Sequence, residues 1–217
     1  MDTLITRSPP RRRGRPPKDA GGSYAETRSL LIRTGLAVLT EKGYSSVGID
    51  EILRMVAVPK GSFYHYFPSK EAFGQVLIAE YSDYFARKLD RCFLDTAYSP
   101  LQRLRNFVQD ARQGMAKHGF RRGCLVGNLG QEMAVLPESF RRQLADVFQD
   151  WQQRTERCLK EARQAGEIDA ALDCAHLAAF FWIGWEGAVL RAKLEHQPTA
   201  IDTFARGFFT LLQQPGR

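Results

Sequence analysis

From Ser23 onward, apolar residues recur at three- and four-residue spacing, the signature of amphipathic helices. No stretch alternates at period two, and no Asn-Gly or Asp-Gly pair marks a hairpin. The pattern predicts an all-α chain. A first helix spans about 23–42, with Leu31, Ile32, Gly35, Leu36, Val38 and Leu39 as its buried stripe. Gly43 follows, where a left-handed residue is expected to stop it. A short second helix covers about 49–56, with Ile49, Ile52 and Leu53 inward. A third begins at Pro59, since proline suits the first helical position, and ends near Phe67-Pro68. A fourth opens on Ser69 as N-cap, carries Glu71 in its first turn and runs to about Phe93.

Breaks at Ser99-Pro100, Gly119, Leu136-Pro137, Gly166 and Gln197-Pro198 divide the rest. They predict helices near 100–117, 124–135, 138–164, 170–194 and 198–213. The expected organisation is a basic arm over 1–22, a three-helix unit over 23–84 and a helical region over 85–217. The long fourth helix joins the last two.

Composition narrows the class. The chain has 217 residues, 44% of them hydrophobic and 25% charged, which excludes global disorder. Its most apolar run, Leu177 to Trp185, is nine residues long, too short to cross a bilayer. Where a secretory leader needs an apolar stretch, the N-terminus has Pro and Arg instead. Cys92, Cys124, Cys158 and Cys174 form no CxxC pair and read as reduced thiols of a cytoplasmic protein. No cofactor or metal is called for. The net charge is +7, and residues 1–20 alone carry six basic and two acidic side chains. Such an arm suits phosphate binding through counterion release. Its Arg13-Gly14-Arg15-Pro16 resembles an AT-hook core, in which two arginines enter a narrow minor groove. The same composition also suits a solubilising tail.

Only Ala57 to Pro59 separate the second and third helices, which is helix-turn-helix spacing. In the third helix Phe63 and Phe67 should face the core. Lys60, Ser62, Tyr64, His65 and Tyr66 are left for phosphates and base edges, and Gly61 for close backbone approach. Gly43-Tyr44, Ile52, Val58, Lys60-Gly61-Ser62-Phe63-Tyr64-His65-Tyr66-Phe67 and Ser69-Lys70-Glu71 resemble the DNA-binding domain of TetR-family transcriptional regulators, over roughly 24–84. The resemblance implies DNA contacts from Lys60, Tyr64, Tyr66 and Lys70. Thr27, Gly48, Gly61, Ser62 and His65 join them as candidates, with Arg13 and Arg15 on the arm. Two departures stand out. Gly48 replaces the usual hydroxyl N-cap, and Ala57 replaces the usual turn glycine, where positive φ would be strained.

The resemblance further implies a homodimer built from the last two helices. Leu177, Phe181, Ala188, Val189 and Ala192, with Phe204, Phe208 and Leu211, are the candidate interface; a stripe in the chain's own core would look the same. It also implies a small-molecule effector between the C-terminal helices. Cys124, Asn128 and Glu132 share a helix face and are candidate wall residues, as are Trp182, Trp185 and Glu186, with Tyr81 and Tyr84 on the fourth helix. Gly123-Cys124-Leu125 is similar to a subgroup of repressors that answer reactive electrophiles and acrylate. Arg121, Arg122 and a helix start predict a lowered thiol pKa at Cys124; an inert, buried cysteine is the alternative.

The resulting expectation is a ligand-controlled repressor that binds a palindromic operator in double-stranded DNA. An architectural DNA-binding protein without effector is the second reading. Catalysis is disfavoured, because HExxH, GxxxxGK[ST], GxSxG and dinucleotide fingerprints are absent and His65, His118, His176 and His196 are scattered.

Overall fold

Nine α-helices and no strand occur among the described residues, 24–213, of the computed structural model. They are α1 (Tyr24–Lys42), α2 (Ile49–Met55), α3 (Lys60–Tyr66), α4 (Lys70–Phe93), α5 (Pro100–Ala116), α6 (Leu125–Gln131), α7 (Glu138–Gln164), α8 (Cys174–Glu195) and α9 (Thr199–Gln213). Arg13 and Arg15 lie outside the described residues.

The helix ends follow local chemistry. Ser69 Oγ accepts from the Ala72 amide at 3.0 Å and caps α4. Gly43 adopts φ +82 after α1, and Gly166 φ +73 after α7. Two ends differ from expectation. Asp173 caps α8 by accepting from Ala175 and His176, so the helix starts at Cys174 rather than 170. Pro59 takes an extended conformation (φ −62, ψ 143) and is the N-cap of α3 instead of its first residue.

The reader half packs on aromatic rings. Phe63, Phe67 and Phe73 are all buried, with centroids 4.6–5.4 Å apart. Gly35 is required there, since a Cβ would lie 2.6 Å from the Phe73 ring. The larger core lies between α4, α7 and α8, where Trp151 sits 4.4 Å from Phe85 and 4.8 Å from Trp182. Trp182 Nε1 donates to Thr155 Oγ1 at 2.9 Å, so its one polar atom is satisfied in the core. Arg103 is buried and joins three elements. It donates to the Phe93 and Tyr98 carbonyls and pairs with Glu161 at 2.7 Å. α4 spans 24 residues, roughly 36 Å at 1.5 Å per residue, and runs from the reader to the C-terminal helices.

Candidate functional site

The reader is α2, a tight turn and α3. After α2 the Val58 amide reaches the Leu53 carbonyl at 3.1 Å across Ala57, which holds φ +54. This is the 6→1 bond of a Schellman motif, with alanine in the glycine position. The turn keeps the left-handed geometry that Ala57 was expected to resist. Gly48 caps α2 without a side-chain bond and has open space around it.

On α3, Phe63 faces inward while Lys60, Gly61, Tyr64 and His65 are exposed and Ser62 and Tyr66 half-buried. Lys60 Nζ pairs with Asp50 Oδ2 at 3.0 Å, and both groups are open to solvent. The Tyr24 ring lies 4.6 Å from Tyr66, and its hydroxyl donates to the His65 carbonyl. Thr27 is half-buried on α1. Lys70 differs from the rest. Its ammonium turns inward, donates to the Tyr44 carbonyl at 3.0 Å and stands 4.3 Å over the Tyr44 ring. Burial lowers the Lys70 pKa and pushes Tyr44 up to about 12.

A cavity of about 610 Å³ opens between α1, α4, α5, the segment before α6, and α8. Four of the eight predicted effector residues line it: Tyr81, Tyr84, Cys124 and Trp185. Trp182 does not; it belongs to the core against Trp151. Its apolar spacing could not distinguish a ligand wall from a packed interior. The cavity also carries Arg33, Lys88, Arg91, Lys117, His118 and Arg122, none of them among the effector candidates read from the sequence. They come from α1, α4, the end of α5 and the segment before α6, so no local motif announces them.

The expected reactive thiolate at Cys124 is corrected. Cys124 is the N-cap of α6, 7% exposed, and its Sγ accepts from the Gly127 amide at 3.5 Å. Burial, reinforced by the Glu186 carboxylate, pushes the thiol well above its usual range. The flanking arginines do not reach it: Arg122 faces Glu41 at 3.7 Å, and Arg121 is exposed. Glu186 lies beside Cys124, and burial lifts its carboxyl to about 7. Its Oε1 has no hydrogen-bond partner, and its Oε2 occupies the place a Cβ on Gly127 would need.

Asn128 and Glu132 are a second correction, because neither lines the large cavity. Asn128 Nδ2 donates to the Leu39 and Thr40 carbonyls at 3.2 and 2.9 Å, and the Gly123 amide donates to Thr40 O at 3.0 Å. Both acceptors lie in the last turn of α1; Leu39 O also accepts from the Gly43 amide at 3.0 Å, while Thr40 O takes its partners from α6 and the segment before it. Glu132 accepts from the Tyr44 amide at 2.9 Å and the Ser45 amide at 2.7 Å. A Cβ on Gly43 would lie 2.1 Å from Glu132 Oε1. The capture of this carboxylate coincides with the end of α6 at Gln131, short of the expected 135. One short helix thus touches the cavity at its start and grips the reader along its length.

α8 is apolar on two faces. Leu177, Phe181, Ala188, Val189 and Ala192, predicted to meet a second chain, are buried within their own. On α9 Phe208 is likewise buried, Phe204 is half-buried against Gly184, and Leu211 is 39% exposed. The outward stripe is Phe180, Ile183, Leu190 and Leu194, with exposed Gly187 between. Its spacing is three, four, three and four residues, the period of a helix–helix seam. Among the described residues no helix is long and apolar enough to cross a membrane, and no group of three or more His, Cys, Asp or Glu could hold a metal ion.

Residues 31–74 match the model for bacterial regulatory proteins of the tetR family, and residues 100–208 match the tetracyclin repressor-like C-terminal domain. The transcriptional regulator AcuR of Cereibacter sphaeroides is 57% identical over 91% of this chain and 89% of that protein. The HTH-type transcriptional repressor DhaR of a Mycobacterium species is 32% identical over 85% and 91%. A crystal structure of the regulatory protein TetR from Rhodobacter sphaeroides superposes with a TM-score of 0.82 at 59% identity, covering 83% of this chain and 95% of the other. With both its reader and its C-terminal helices matched, this chain belongs to the TetR family of helix-turn-helix transcriptional regulators, a family of DNA-binding repressors and not of enzymes.

Proposed function

We propose that the chain is a cytoplasmic repressor that binds a palindromic operator as a homodimer and leaves it when a small molecule fills the cavity of the C-terminal helices. The observation that carries this reading is the double attachment of α6. Cys124 at its start lines the cavity, while Asn128 and Glu132 bind the end of α1 and the turn into α2. A ligand pressing on the Cys124 wall displaces the element that fixes the reader, so cavity and operator site share one two-state structure.

Lys60, Tyr64 and His65, exposed on α3, supply major-groove contacts, and Ser62 and Tyr66 flank them. Arg13 and Arg15 add an arm for the minor groove. Lys70 keeps α4 seated on Tyr44, and its DNA contact is limited to what that seat leaves open. The outward stripe of α8 forms the seam between two chains, which places the recognition helices on half-sites about 34–36 Å apart. The effector is an organic carboxylate or electrophile that enters the cavity beside Cys124, with acrylate as the reference compound. Contact with the protonated Cys124, not attack by a ready thiolate, is the starting event.

Mobility-shift titration on the operator tests the assignment. Lys60→Ala is expected to weaken binding at least tenfold. Cys124→Ala is expected to bind like the parent and to change the acrylate concentration needed for release. A Lys60→Ala protein with parental affinity would refute the reader assignment.

A further inference from the structure

The lining of the effector cavity divides by exposure. Phe85, Cys124, Trp185 and Val189 are buried, with Leu36 and Met115 half-buried, and together they make an apolar floor. The exposed margin carries Arg33, Arg91, Lys117 and His118. The one carboxylate in the lining, Asp110, is held by Lys88 at 2.7 Å. Arg122 faces Glu41 at 3.7 Å, whereas Arg33, Arg91 and Lys117 make no ion pair among the described residues. Along α4, Tyr81, Tyr84 and Phe85 give way to Lys88 and Arg91 on one side of the helix, about 15 Å from first to last.

Size sets a second constraint. If each non-hydrogen atom takes about a water's share of volume, roughly 30 Å³, the cavity of about 610 Å³ holds on the order of twenty. A three-carbon acid has five, so it fills about a quarter and cannot reach floor and margin together. Pockets that hold their ligands well enclose most of the ligand surface.

From this division and volume we propose that the cavity is built for an amphiphilic organic anion: an apolar body of about ten to twenty non-hydrogen atoms on the aromatic floor, with a carboxylate or phosphate head at the Arg33, Arg91 and Lys117 margin. The proposal rests on the effector-controlled reading above and gives the effector its chemistry. Unpaired cations around a low-dielectric cleft attract such a head from a distance and penalise a cationic one. The floor's polar side-chain groups are few: the Cys124 thiol, the Tyr81 hydroxyl, the Trp185 indole N–H and the Thr40 hydroxyl, the last already donating to α1 carbonyls, so the floor favours hydrocarbon over a strongly polar group.

Isothermal titration of the full chain at fixed ionic strength, with decanoate, decyl phosphate, decanol, decylamine and acrylate, tests it. At least one anion is expected to bind tenfold or more tighter than decanol and decylamine, with acrylate the weakest acid; the two anions compared identify the head group. The double variant Arg91→Gln/Lys117→Gln is expected to bring the preferred anion to within threefold of decanol while decanol binding stays as it was. Decanol or decylamine binding as tightly as both anions would overturn the proposal, and so would acrylate matching decanoate. A parallel mobility-shift assay separates this result from the repressor reading. Anion-selective binding without operator release supports the ligand class and defeats the inducer role. Operator release by acrylate with no decyl anion bound defeats the ligand class and leaves the repressor.

Discussion

The Glu132 carboxylate grips the backbone of Tyr44, 88 residues earlier in the chain, at 2.9 Å, and its second oxygen holds the next amide, Ser45, at 2.7 Å. Two N–H groups in the turn between α1 and α2 are thus paired by a side chain from the C-terminal helices. Glu132→Gln leaves one oxygen and turns an NH₂ group toward a donor. A charge-assisted bond of this kind contributes about 1.5–3 kcal/mol. The variant should lose stability in that range, read as a lower urea midpoint, and should need more effector to release the operator. An unchanged midpoint would mean that water replaces the grip without loss.

Two glycines of α6 should respond in opposite senses to the same substitution. A Cβ on Gly127 would meet Glu186 Oε2 at 2.0 Å, whereas one on Gly130 meets nothing within 4 Å. Gly127→Ala forces the buried carboxylate aside and should cost about 1–3 kcal/mol. Gly130→Ala adds helix propensity at an exposed site and should stabilise by up to about 1 kcal/mol. Thermal melts of the two variants give the comparison directly. Equal shifts would show that Glu186 moves freely.

Glu186 also gives the fold a pH dependence. Burial raises its carboxyl from 4.5 to about 7, with Cys124 acting weakly in the other direction and Tyr81 nearby. The folded state therefore binds this proton more tightly than the unfolded chain does. Below about 4.5 both states are protonated and nothing is lost. As pH rises from there to about 7 the unfolded chain ionises first, so stability falls, and above about 7 the loss is constant. Relative to Glu186→Gln, the parent's melting temperature should drop across that window and run parallel above it. A difference that stays flat from pH 5 to 8 would place the carboxyl in water.

For the seam between chains, Ile183 and Phe181 are the informative pair. Ile183 is 73% exposed on the outward stripe of α8, and Phe181 is fully buried two residues earlier. Ile183→Glu should yield monomers by sedimentation velocity, with the chain's own unfolding energy changed by less than about 0.5 kcal/mol. Phe181→Ala should instead cost about 3–5 kcal/mol through the cavity it leaves. A dimeric Ile183→Glu protein would move the seam elsewhere.

Local signals carried well in the sequence. Ser69, Gly43, Gly166 and the Phe63/Phe67 spacing act within one helical turn, and each sits where its chemistry placed it. What failed needed contacts between distant segments. Asn128 and Glu132 look like a polar stripe on α6, and only the approach of α1 explains them. Cys124 looks activated beside two arginines until packing removes it from water and Arg122 turns to Glu41. α8 is apolar around most of its surface, so the pattern could not say which stripe faces inward. The cationic margin of the cavity is assembled from α1, α4 and the end of α5, and no window of sequence contains it.

The alanine in the reader's turn has a consequence beyond its own bond. A left-handed alanine is uphill by about 1–2 kcal/mol, so the bend between α2 and α3 works against its own backbone. What sustains the angle is the packing of Phe63 and Phe67 on Phe73 of α4, with Arg28 of α1 over the Phe67 ring. A peptide cut to 49–67 would therefore straighten or fray, and the angle presented to DNA is a property of the whole tertiary assembly, on loan to the turn.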